Sequence, residues 1–157
     1  MGVEAGFGQD TADLASRHRK LQRRFHPDRF VSTDDRQRRL SLEHATALND
    51  AFRILRDPMK RAEYMLKLRG LDLQDGTNQI RLDPMFLMEI LELREAIEEL
   101  PGADTHVERG RIERDVALRY EDILAQLGEG LGQEDSNTEA LAQHAAQLKY
   151  LKRILEE

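Results

Sequence analysis

The 157-residue chain has no cysteine and no tryptophan. The first absence excludes disulfides, thiolate metal sites, protein-held iron–sulfur clusters of the usual kind and thiol nucleophiles, and it suits a reducing compartment. Aromatic residues make up only 5% and prolines number four, whereas 34% of residues are charged. Sheets draw on β-branched and aromatic residues, so this balance predicts an all-α protein of one or two small domains. No apolar run reaches membrane-spanning length, and Met1 to Gly8 have neither a basic nor an apolar leader segment. The expectation is a cytoplasmic protein with no membrane partner.

Metal and catalytic patterns are also missing. No two of His18, His26, His44, His106 and His144 are four residues apart, as a helical zinc pair requires. None of Ser16, Ser32, Ser41 and Ser136 sits in a nucleophile elbow, and no glycine-rich phosphate loop occurs. The chain is expected to be no enzyme and to hold no metal or cofactor.

What is present is asymmetric. The net charge is -6. Residues 1–69 hold 15 Lys and Arg against 10 Asp and Glu, whereas residues 70–157 hold 9 against 20. A basic half and a strongly acidic half call for different partners.

Asp10-Thr11 offers an N-cap, and Leu14, His18, Leu21 and Phe25 form one helical stripe, so a helix is expected over about 11–25. Pro27 stops it and drives His26 out of helical dihedrals, so His26-Pro27-Asp28 begins a loop. A longer helix from Asp34-Asp35 brings Leu42, Ala45, Leu48, Phe52 and Leu55 to face the first. Asp57-Pro58 opens a short helix that ends at Gly70.

Residues 70–83, with Gly76, Thr77 and Asn78, read as a linker. Three amphipathic helices over 84–157 then predict a bundle. The first opens at Asp83-Pro84 and closes at Pro101-Gly102. The second runs over about 104–127, with Ile112, Val116, Ile123 and Leu127 on one side, and stops at Gly128, Gly130 and Gly132. The third starts from a capping box at Ser136 to Glu139 and buries Leu141, Ala145, Leu148 and Leu155.

On a wheel of about 100° per residue, Arg19, Lys20 and Arg23 lie opposite the apolar stripe of the first helix, with Arg17 and Arg24 on its flank. An outward basic ridge results. On the helix from Asp83, Phe86, Ile90, Leu93, Ile97 and Leu100 supply a sufficient core stripe. Leu87, Met88 and Leu91 fall outside it, beside Glu92, Glu95 and Glu99. Tyr150 is likewise nearly opposite the core face of the last helix. Periodicity leaves two readings open for this surplus strip: a neighbouring helix covers it, or it binds a partner.

The run Leu21-Gln22-Arg23-Arg24-Phe25-His26-Pro27-Asp28-Arg29-Phe30, ahead of a long helix, resembles the J domain of co-chaperones that act on DnaK-type chaperones. The resemblance implies that His26, Pro27 and Asp28 dock on the chaperone and stimulate its ATP hydrolysis, with Arg19, Lys20 and Arg23 as the electrostatic ridge. Further on, Ala45 to Asn49, Arg61 to Leu66 and Phe86 to Glu95 are similar to the HscB family, the J-type co-chaperones of bacterial iron–sulfur cluster assembly. That likeness, from about Asp10 onward, implies a J domain over 1–69, made of an antiparallel hairpin plus a short helix, and a C-terminal three-helix domain over 84–157.

It also implies two partners, the chaperone HscA and the scaffold IscU. The scaffold would be bound by Leu87, Met88, Leu91, Glu92, Glu95, Glu99 and Tyr150. One departure stands out: the family begins with an aromatic-containing helix, whereas Met1 to Gln9 are short and glycine-rich, so that first helix is expected to be shortened or missing. The alternatives are a J protein for another client, or a nucleic-acid-binding helical module. The second is disfavoured by the acidic second half and the absence of stacking aromatics among the arginines.

Overall fold

The computed structural model describes residues 1–3, 6–30, 34–73, 80–100, 105–133 and 135–156. Among them all regular structure is helical: α1 (Thr11–Phe25), a 3-10 turn (Pro27–Phe30), α2 (Asp35–Arg56), α3 (Pro58–Leu68), α4 (Pro84–Glu98), α5 (Thr105–Gly132) and α6 (Thr138–Glu156). None of these helices is long and apolar enough to cross a membrane. The chain divides into two compact units, residues 1–64 and 65–157.

In the first unit, Asp10 caps α1 by accepting from the Ala12 and Asp13 amides at 2.8 and 3.3 Å. Such a cap contributes about 1 kcal/mol. His18 stacks on Phe52 at 4.2 Å between ring centroids, and its Nε2 lies 2.9 Å from Asn49 Oδ1. Phe25, one end of α1, meets His44, nearer the start of α2. The late part of α1 thus faces the early part of α2, which makes an antiparallel hairpin.

One position of the expected seam differs. Leu42 is 59% exposed, and Ser41 is buried in its stead. The Ser41 hydroxyl donates to the Phe25 carbonyl at 2.8 Å. The last turn of α1 leaves carbonyls without helical partners, so a small donor is worth more there than a leucine.

The first residues of the chain are fixed by arginines. Arg17 donates to the Gly2 carbonyl at 2.6 Å. The buried Arg61 guanidinium lies 4.9 Å from the Phe7 ring centroid and donates to the Leu55 carbonyl at 2.7 Å. Burial pushes this guanidinium below its ordinary value, with Asp57 pulling the other way. Of residues 1–10, those described carry no helix, as their glycine content predicts.

In the second unit, α3 ends where Gly70 adopts φ 87°. Leu71 N–H donates to the Leu66 carbonyl and Gly70 N–H to that of Lys67, both at 3.0 Å, a Schellman closure that glycine makes without strain. Residues 74–79 of the expected linker, and the expected stop at Pro101-Gly102, lie outside the described residues. On either side of that linker the chain is tied to the bundle: Arg69 Nη2 donates to the Leu131 and Gln133 carbonyls at 2.9 Å, and Gln143 to the Arg81 carbonyl at 3.3 Å.

The bundle departs from expectation at three points. First, α5 runs through Gly128 and Gly130 to Gly132. Leu127 and Leu131, either side of them, are buried, and each contributes about 1.5–3 kcal/mol against about 1 for a helical glycine. A Cβ on Gly130 would overlap Leu141 Cδ2, so the glycine admits α6 to close range.

Second, α6 is capped by Asn137 rather than Ser136, its Oδ1 accepting from the Glu139 and Ala140 amides at 2.9 and 3.3 Å. Third, Leu155 is partly exposed, while Ala142, Leu151 and Ile154 are buried with Leu141, Ala145 and Leu148. The buried arc of α6 is wide because α6 packs on both α4 and α5.

Candidate functional site

Two sets of exposed side chains stand out, one in each unit. The first begins where α1 ends. His26 takes ψ 128°, the extended value a following proline demands. Pro27 then opens the 3-10 turn, closed by Arg29 N–H on the His26 carbonyl at 3.0 Å. The turn is further tied to α1 by Arg29 Nη1 on the Arg23 carbonyl at 3.3 Å. Within it, the side chain of Asp28 is 85% exposed and that of His26 half-exposed. Asp28 N–H donates to His26 Nδ1 at 3.3 Å.

Arg19, Lys20 and Arg23 are all exposed on α1, one to two turns before this corner. Arg17, on the flank, is engaged with Asp13 at 2.7 Å and with Gly2. The corner is therefore rigid in backbone, polar at its tip and approached along a positive ridge. Such a surface can steer and dock an acidic partner.

The second set lies on α4, which Asp83 caps by accepting from Met85 N–H at 2.9 Å, with Pro84 at the first helical position. Only Phe86 and Ile90 of this helix are buried. Leu87, Met88 and Leu91 are 41, 57 and 57% exposed, and Glu92, Glu95 and Glu99 are exposed beside them. The strip is thus largely open to solvent. Tyr150 of α6, 44% exposed, is brought to α4 by an edge-on contact with Phe86 at 6.4 Å between centroids. Three apolar side chains, an aromatic with a polar tip and a carboxylate margin make a surface suited to an apolar partner with basic groups around it.

Two neighbours of this surface are not evident from periodicity. Met85, 70% exposed, extends the strip one turn toward the start of α4. It follows Pro84 directly, where the core stripe has not begun, and its place on the wheel near Met88 and Glu92 is its only signal. Arg119 of α5 reaches α4 from behind, its guanidinium 5.3 Å from the Phe86 ring centroid and paired with Glu89. A contact between residues so far apart in sequence leaves no local trace. Among the described residues no group of three or more His, Asp or Glu is placed to hold a metal ion.

Residues 82–157 match the family described as HSCB C-terminal oligomerisation domain. The chain is 37% identical over 157 residues to the co-chaperone protein HscB homolog of Vibrio vulnificus strain YJ016, a match covering 99% of this chain and 90% of that protein. Among solved structures it is similar to chaperone HscB from Vibrio cholerae, with TM-score 0.86 and 35% identity, covering 99% of this chain and 90% of that one. Human co-chaperone protein HscB also gives a TM-score of 0.86, at 29% identity, covering 99% of this chain and 76% of that one.

Proposed function

This chain belongs to the HscB family of co-chaperones, and from that membership we propose that it is an adaptor in iron–sulfur cluster assembly. It holds an IscU-type scaffold on its C-terminal bundle, presents it to an HscA-type chaperone in the cytoplasm, and stimulates ATP hydrolysis there through the His26-Pro27-Asp28 corner. Residues 1–69 serve as the J domain and 84–157 as the scaffold-binding domain. Hydrolysis itself is the chaperone's chemistry, a matter of positioning and charge stabilisation around the phosphates. This chain biases the chaperone's conformation through differential docking.

The observation that carries the reading is that one chain exposes both surfaces: a positive ridge leading to the His26–Asp28 corner, and an uncovered Leu87–Met88–Leu91 strip with a glutamate margin. Opposite charge on the two surfaces suits two partners rather than one. The absence of cysteine fits a protein that handles the scaffold without competing for its cluster. The test is HscA ATPase activity with the scaffold alone, with this protein alone and with both. Stimulation by both together well beyond the sum of the two supports the adaptor. Purely additive stimulation, or none by this protein, overturns it.

A further inference from the structure

The interacting strip occupies the outer side of α4, and its usefulness depends on how that helix is rolled about its axis. Few side chains fix the roll, since only Phe86 and Ile90 are buried. A roll of one residue position, about 100°, would carry Leu91 off the outer face. Phe86 is the centre of the attachment: it meets Tyr150 of α6 edge-on, and the Arg119 guanidinium of α5 lies against its ring.

Arg119 also pairs with Glu89, which lies to one side of Phe86 on the wheel. It thus holds α4 at two angular positions, Phe86 opposite the apolar strip and Glu89 beside its Glu92 margin, neither among the apolar side chains of the strip. A planar guanidinium can stack on a ring while its edge bonds a carboxylate; a lysine ammonium cannot do both from one place. The Phe86 contact with Tyr150 links the same clamp to the aromatic member of the patch.

We propose that Arg119 is the positioning residue of the scaffold-binding surface, setting the roll of α4 and its register with Tyr150 from behind without touching the scaffold. This rests on the assignment of the α4 strip to scaffold binding. The test is scaffold affinity by calorimetry, on the full chain, for Arg119→Gln, Arg119→Lys, Glu89→Gln and the control Leu91→Ala.

Arg119→Gln is expected to weaken binding about three- to tenfold, with Lys rescuing part of it and Glu89→Gln losing less. Basal stimulation of the chaperone without scaffold stays unchanged. In a Tyr150→Ala background the effect of Arg119→Gln shrinks, because the register it maintains no longer serves an aromatic anchor. General destabilisation would instead lower affinity by the same factor in both backgrounds. Wild-type affinity of Arg119→Gln beside a loss in Leu91→Ala overturns the clamp and leaves the strip assignment standing. Wild-type affinity in Leu91→Ala as well overturns both.

Discussion

Nδ1 of His26 accepts the backbone N–H of Asp28 at 3.3 Å. The same ring nitrogen lies 3.5 Å from the Asp28 carboxylate, so backbone and side chain of Asp28 both hold the ring in place and the two polar side chains are presented together. The Asp28 carboxylate, exposed beside it, is an acceptor suited to an arginine of a partner.

Each of these groups is therefore expected to be indispensable at the chaperone. His26→Gln or Asp28→Asn should abolish stimulation of HscA hydrolysis while leaving scaffold affinity as in the parent. Single-turnover ATPase rates check this, and normal stimulation by either variant sinks it.

The ridge is expected to act at longer range. Arg19→Glu combined with Arg23→Glu reverses the sign of charge one to two turns from the corner, so the concentration giving half-maximal stimulation should rise by tenfold or more at low salt. The gap between variant and parent should narrow as salt screens the ridge, with a Debye length of about 8 Å at physiological ionic strength. Equal half-maximal concentrations at low salt would mean that the ridge is only a solvated face.

At the other surface, Leu91→Ala with Tyr150→Ala should weaken scaffold binding several-fold or more, since apolar and aromatic anchors dominate such interfaces. Unchanged calorimetric affinity, with the helical circular dichroism intact, would assign both side chains to packing instead.

Gly130 makes a prediction about stability. Alanine there gains about 1 kcal/mol of helix propensity but meets Leu141 Cδ2, an overpacking cost of about 1–3 kcal/mol. Gly130→Ala should thus be neutral to destabilising in the parent and stabilising in a Leu141→Ala background. Denaturant unfolding of the four proteins reads the difference; the same sign and size in both backgrounds would show that the close approach is not what requires glycine.

The sequence was most legible where local chemistry decides structure. Asp10, Asp57, Asp83 and the prolines after two of them fix helix starts by bonds within three residues, and Pro27 alone dictates the His26 corner. The strip on α4 was legible because four buried or half-buried positions already satisfy the core, so Leu87, Met88 and Leu91 have no packing duty there. What was not legible depended on distant partners. Gly128 and Gly130 look like a helix end until Leu127 and Leu131 are seen buried around them. Ser41 takes the place expected of Leu42 only because the Phe25 carbonyl lies above it. The broad burial of α6, which leaves Leu155 outside, follows from two neighbours that periodicity does not count. Arg119 belongs to the same class.

That wide buried arc has a consequence for how the protein is made. In chain order α4 and α5 leave the ribosome before α6, yet Phe86 of α4 and Leu141-facing Gly130 of α5 both await it. The hairpin of α1 and α2 has both its partners early. Synthesis therefore completes the His26–Asp28 corner first, and the α4 strip with its Tyr150 neighbour only once the last helix has emerged, leaving apolar surface open in the half-made chain until then.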